Sequence, residues 1–297
     1  MNDRAALEIA LAANPDDFAT HAAYADLLTE QGDPRGDYIR LQLALEDRQQ
    51  PVERLRAMEQ EMFTLRKEYE AEWLGPLAVH VNLGTAVRQH GANVEVTYRR
   101  GWLDTVRVRR MSPEVATALT QCPIAPLCAD LEVEGGRVRH RLLKALPNLT
   151  WLSCVEWPPA EPDEQIGPGS SWFHQLASRA ETAIPVLSLE ALPRLRYLTF
   201  RSETFGDAGV EEIIRSGLLN QLCGLDLCNC AITDDGAQLL AAHPAVPKLE
   251  YLRLDENSIS PIGIDALAAV GVAISQRQYL GPMSGDDTDA DDEDIPF

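Results

Sequence analysis

The sequence predicts an α/β chain in which strand–helix units repeat along a parallel sheet, preceded by a small all-α domain. Three observations carry this expectation. In steps of 27 residues from Leu195 the chain reads LRYLTFRSETF, LCGLDLCNCAI from Leu222 and LEYLRLDENSI from Leu249, with apolar residues at the first, fourth, sixth and eleventh positions of each. Before residue 76 the apolar residues fall at helical spacing, and between Val94 and Val108 they alternate with polar ones.

From Arg4 to about Leu74 the spacing predicts four helices. Asn14-Pro15-Asp16 breaks the first, and Asp33-Pro34 sets a capping carboxylate before a proline that starts the third, which carries Tyr38, Ile39, Leu41, Leu43 and Leu45. A fourth runs from Pro51 to Trp73. Residues 1–76 form this helical domain, and 77–280 the strand–helix units. Beyond Gly75-Pro76, Val94–Tyr98 and Leu103–Val108 read as two strands around a turn at Arg99-Arg100-Gly101.

In each aligned segment the fourth and sixth residues of a short strand face the same way, into the core, and the eleventh packs beneath them after the chain turns. The ninth position sits in that turn, where Asn or Cys faces backbone groups; it holds Glu203, Cys230 and Asn257, so Glu203 departs from the pattern. The segments GDAGVEEII, TDDGAQLLA and SPIGIDALA then start helices. Weaker copies of the template fit Leu103-Val106-Val108, Cys128-Leu131-Val133 and Leu149-Leu152-Cys154, although their ninth positions (Met111, Gly136, Trp157) do not match. A Pro/Gly-rich stretch at 157–172, WPPAEPDEQIGPGSSW, should loop out as a protease-sensitive insertion. The acidic tail at 281–297 should be disordered.

The 27-residue spacing from Leu195 to about Val270 resembles the leucine-rich repeat of the longer, ribonuclease-inhibitor-like class. That resemblance implies a solenoid with a concave parallel sheet and convex helices. The segment from Leu7 to Leu45, through Asn14-Pro15-Asp16-Asp17, Tyr24-Ala25-Asp26 and Gly32-Asp33-Pro34-Arg35-Gly36-Asp37, resembles a repeat-companion domain of planctomycete and myxobacterial proteins. It implies a bacterial origin and assigns no catalytic residue.

Composition narrows the function. The net charge of −20 divides into −8 over residues 1–76, −7 over 285–297 and −5 between them, a balance that repels phosphate backbones and argues against a nucleic-acid partner. The first residues lack a basic, then apolar, leader, and no run reaches the roughly 18 apolar residues of a membrane span, so a cytoplasmic protein without a membrane partner is expected. Six scattered cysteines fit buried reduced thiols. Cys223, Cys228 and Cys230 invite a zinc reading with His243, but the template sends them to different faces, so no metal is expected. His21, His80, His90, His140 and His174 stand outside any nucleophile motif, and no phosphate or dinucleotide loop appears, so neither catalytic residue nor cofactor is expected. The basic cluster at Arg99, Arg100, Arg107, Arg109 and Arg110 meets Glu132 and Glu134 on the next strand, which should neutralise it.

Positions three, five and seven of each strand should face outward on the concave sheet, the surface that repeat proteins offer to partners. They place Trp151, Tyr197, Thr199, Arg201, Asp226, Tyr251, Arg253 and Asp255 there, with the aromatics forming a column. The expected function is non-catalytic: a regulator or inhibitor that binds a partner protein on this face. Two alternatives stand beside it: an adaptor whose helical domain or acidic tail makes the main contact, and an unrecognised enzyme. Partner identity and oligomeric state are not legible.

Overall fold

The computed structural model describes residues 3–47, 49–83, 93–136, 138, 140–154, 189–202 and 205–271. The insertion expected at 157–172, Glu203 and the acidic tail at 281–297 lie outside the described residues.

Four helices open the chain: α1 (Asp3–Ala13), α2 (Phe18–Glu30), α3 (Arg35–Leu45) and α4 (Val52–Leu74). Asp17 caps α2 by accepting from the amides of Ala19 and Thr20, and Asp33 accepts from the amide of Arg35 at 3.0 Å at the entry to α3. A 3₁₀ turn at Gly75–His80 leads towards a hairpin, β1 (Val94–Arg99) and β2 (Trp102–Val108). Its two-residue loop has φ 51° at Arg100 and 78° at Gly101, both left-handed, as the twist of a tight hairpin requires.

The strand–helix units follow. They comprise α5 (Pro113–Thr120), β3 (Asp130–Val133), α6 (His140–Ala145), β4 (Trp151–Cys154), β5 (Tyr197–Phe200), α7 (Gly206–Ser216), β6 (Gly224–Asp226), α8 (Asp234–Ala242), β7 (Tyr251–Arg253) and α9 (Pro261–Ala269). The seven described strands form one sheet in chain order, antiparallel between β1 and β2 and parallel from β2 to β7. Val106, Leu131, Leu152, Leu198, Leu225 and Leu252 stand side by side across it, each buried. The weaker copies of the template therefore take the same register as the three clear ones. Each such side chain contributes about 1.5–3 kcal/mol on full burial, so the row is a major part of the core.

The expected turn residues behave as the spacing implied. Asn257 accepts from the amides of Cys230 and Ile232, both at 3.0 Å, and donates to the carbonyls of Leu227 and Leu254. Cys230 directs its thiol to the carbonyl of Phe200. Phe205, Ile232 and Ile259, the eleventh residues, are buried beneath. On the helix side, Asp207 accepts from the hydroxyl of Thr233 (2.6 Å) and the amides of Thr233 and Gly236. One period later Asp234 accepts from the hydroxyl (2.6 Å) and amide of Ser260. The helices α7 and α8 thus each hold the first turn of the helix that follows.

The helical region and the sheet share one continuous core running from Leu11 to Leu267. Trp102 stacks on Tyr24 at 5.6 Å, and the guanidinium of Arg35, only 3% exposed, lies 5.0 Å from the Trp102 ring and 5.4 Å from Tyr24. Arg35 donates to the Tyr24 hydroxyl, which in turn donates to Glu8 at 2.7 Å. Among the described residues no carboxylate lies within ion-pair distance of Arg35. Cation–π contacts of about 2 kcal/mol each when desolvated therefore offset part of its burial cost. Gln42 reaches from α3 to accept from the amide of Gly101 and donate to the carbonyl of Tyr98, while Arg100 pairs with Glu46 at 2.7 Å.

His21, 2% exposed, sits beside this seam and donates from Nε2 to the carbonyl of Pro15 at 2.8 Å. Burial pushes its pKa below 6.5, and the positive charges of Arg100 and Arg99 add to the shift. Below 6.5 the unfolded chain takes up a proton that the folded chain resists, so stability falls as pH drops through that value. The bond from Arg100 holds Glu46 below 4.5 and the bond from Thr20 holds Asp17 below 3.8, so both lose their contribution only at more acid pH, which leaves the window to histidine. The urea midpoint should fall between about pH 7 and about pH 5.5, and His21→Gln should flatten that slope. An unchanged slope in the variant would assign it to another group.

Candidate binding face

The strand positions that face away from the core row carry the aromatic residues singled out in the sequence. Parallel register sets Asp130, Trp151, Tyr197, Gly224 and Tyr251 in one line across β3 to β7. Trp151 is 43% exposed, and its ring lies 5.5 Å from that of Tyr197 at 36°. Tyr197 and Tyr251 stack at 6.2 Å and 10°, although β6 lies between their strands.

Glycine at position 224 makes that contact possible. A Cβ there would stand 2.3 Å from both Cε1 and Cζ of Tyr251, so the tyrosine leans across the space that a side chain would fill. The phenol of Tyr197 donates to Glu250 at 3.2 Å, and this bond to a carboxylate holds its pKa above 10.0, keeping the hydroxyl a donor. Three rings on β4, β5 and β7 therefore form one continuous column, in which each stacked pair adds about 0.5–1.5 kcal/mol to its burial.

Beside the column the charged residues sort by depth. Arg201 and Arg253 are exposed, as their outward positions imply. Thr199, Asp226 and Asp255 occupy the same outward positions yet are buried, a correction to the expectation that they stand free on the face. The cause is lateral packing. Asp226 accepts from Arg253 Nη1 at 3.1 Å and from the amide of Cys228 at 3.1 Å, and Arg201 approaches it at 3.7 Å. Asp255 lies 3.8 Å from Arg253 Nε and 3.6 Å from the Cys228 thiol. The arginines lie over the carboxylates.

Cys230 is buried at the inward position the template gave it, whereas Cys228, at an outward position, is buried beside Asp255. Burial, then the bond to Asp226, pushes the Cys228 thiol up to about 12, and burial pushes Cys230 up to about 12. Burial therefore favours the protonated thiol at both. Among the described residues no group of three or more His, Cys, Asp or Glu side chains is placed to hold a metal ion.

The basic cluster is largely paired. Arg107 meets Glu132 at 2.7 Å, as expected from register, whereas Arg109 turns to Glu95 on the antiparallel neighbour β1 at 3.8 Å. Arg99 pairs with Asp16 at 2.9 Å and Arg100 with Glu46. A shallow cleft of about 460 Å³ beside Gln42, Glu46, Met62, Tyr98 and Arg100 lies along the seam between helices and hairpin. Its polar groups bond to one another across that seam, which identifies it as a joint in the fold. Sequence spacing located the column but missed the parts played by Gly224 and Glu250. The signal for Gly224 was a missing side chain between two tyrosines of the line.

No family model matches the chain, and no curated protein matches it. Among solved structures the chain is similar to a Bacteroides fragilis protein known from a crystal structure, at 21% identity and a TM-score of 0.37. The match covers 57% of this chain and 52% of that one, so the chain spans about half the length of that protein. No described helix is long and apolar enough to cross a membrane.

Gly224→Ala tests the column directly. Because φ at Gly224 is not positive, the methyl group acts only by displacing the Tyr251 ring. We expect a changed near-ultraviolet circular dichroism spectrum, from loss of the Tyr197–Tyr251 coupling, and destabilisation of about 1–3 kcal/mol. An unaltered near-ultraviolet spectrum would contradict the stacking geometry.

Proposed function

We propose that the chain is a leucine-rich-repeat solenoid that acts as a non-catalytic protein-interaction module, a regulator or inhibitor whose partner binds the face bearing Trp151, Tyr197 and Tyr251. The observation that carries this reading is the column itself: three large rings in contact along one line across β4, β5 and β7, with Trp151 43% exposed. Partly exposed Trp and Tyr at the centre of a rigid sheet resemble the anchors that dominate protein interfaces. Their rotamers are restrained by stacking, so a partner would lose little side-chain entropy in binding them.

The repeat reading is supported by the agreement between the 27-residue period and the strand register, and by the carboxylate ladder at Asp207 and Asp234. Free cysteines among the described residues fit a reducing compartment, and we place the protein in the cytoplasm.

Tyr197→Ala combined with Tyr251→Ala should weaken capture of the partner from extracts of the native organism by about 30-fold or more, the equivalent of a 2 kcal/mol hot spot. Far-ultraviolet circular dichroism should remain native. Undiminished capture by the folded double variant would move the interface elsewhere.

A further inference from the structure

The aromatic line ends at an acidic edge. Asp130 on β3 stands opposite Trp151 on β4, and its partner on β2 is Thr105, which places Asp104 one residue away. Asp104, Asp130, Trp151 and Tyr197 thus follow one another across the starts of β2 to β5. Trp151 has Tyr197 on the β5 side, at 5.5 Å between ring centroids, and Asp130 on the β3 side.

Neither Asp104 nor Asp130 forms an ion pair among the described residues, and both are part-exposed. Thr150 donates to Asp130 Oδ1 at 3.4 Å, a long bond from a neutral hydroxyl. Burial, then the negative charge of Asp104, hold the Asp130 carboxyl above 3.8. The arginines at outward positions on β2 turn elsewhere, Arg107 to Glu132 and Glu95, and Arg109 to Glu95. At the other end of the face the carboxylates have partners: Asp226 and Asp255 lie under Arg253, and Glu250 accepts from the Tyr197 phenol.

The charge that complements this edge is positive, and the indole beside it selects the shape. An indole face attracts a cation through its quadrupole, and Trp151 is 43% exposed. A guanidinium is planar, so it can lie flat on the ring while paired N–H groups reach a carboxylate. An ammonium is a compact point charge with no plane to stack. The net charge of −20 adds long-range attraction for a basic partner.

We propose that the partner protein places an arginine side chain at this edge, its guanidinium against Trp151 and bonded to Asp104 and Asp130. The proposal rests on the reading of this face as the partner site. It adds the chemistry by which the partner is chosen.

The test uses the full-length chain and acetyl-arginine amide as the probe, followed by nuclear magnetic resonance at the indole N–H of Trp151. Loss of that signal in Trp151→Phe identifies it. The signal should shift saturably, with a dissociation constant of roughly 1–10 mM. Asp104→Asn with Asp130→Asn should weaken binding at least about tenfold, the loss of a charge-assisted contact. Asp130→Glu, which keeps the charge, should retain most of it and control for folding. Glu53→Gln with Glu59→Gln removes the same charge from exposed positions on α4 and should leave binding unchanged. Acetyl-citrulline amide, the neutral isostere, should not bind, and acetyl-lysine amide should bind at least about threefold more weakly.

No saturable shift, equal binding of the citrulline or lysine amide, or binding indifferent to the Asp104 and Asp130 changes would overturn the proposal. An equal loss in the Glu53 and Glu59 control would also overturn it, because net charge and not this edge would then attract the probe. If the probe fails while Tyr197→Ala with Tyr251→Ala still loses the partner, the arginine site falls and the face stands. If the probe binds as expected while partner capture ignores both the tyrosine and the aspartate changes, the reading of the face as partner site falls, and the assignment of the arginine to that partner falls with it.

Discussion

Beneath the parallel strands, Val106, Leu131, Leu152, Leu198, Leu225 and Leu252 meet in a single buried row, and the spacing of that row constrains the rest of the molecule. Because side chains alternate along a strand, fixing one residue inward fixes its neighbours outward. The same register that buries Leu198 and Leu252 therefore lines up Tyr197 with Tyr251 on the opposite face. Core and candidate site are two sides of one pairing scheme.

Polar contacts reinforce that scheme at the points where apolar packing cannot specify it. Asn257 fills the turn between units with bonds to five backbone groups, and Asp207 and Asp234 tie successive helix starts together. At the position one period after Asp234 the chain carries Pro261, so this side-chain ladder is not continued from α9. At the other end the row is closed by the hairpin and the four helices. There Trp102, Tyr24 and Arg35 form a buried stack, which keeps β2 tied to α2 and α3.

Local pattern was enough to read the helices, the hairpin and the strand register, because period and capping chemistry act over a few residues. Leu222 and Leu249 announced their strands, and Cys230 and Asn257 their turns, through position alone. The joint between helical region and sheet was not legible. Arg35, Tyr24 and Trp102 are separated by long stretches of chain, and no period links a guanidinium to the rings on which it lies. The depth of Asp226 was hidden for a similar reason. Its outward parity was read correctly, but cover comes from Arg253 one strand away, whose long side chain bends back over it. Arg109 chose Glu95 over Glu134 because β1 is also a neighbour of its strand, a choice that parallel register alone does not contain.

The most direct measurement of whether 27 residues is the building unit is to delete one. Removing residues 222–248 brings the β7 segment beside β5 in unchanged parity and offers Ser260 to Asp207 in place of Thr233. Removing residues 222–247 instead shifts every later side chain to the wrong face. The first deletion should unfold cooperatively on heating, at a lower temperature than the intact chain, with native-like far-ultraviolet circular dichroism, and the second should lose the cooperative transition. Equal behaviour of the two deletions would contradict a 27-residue unit.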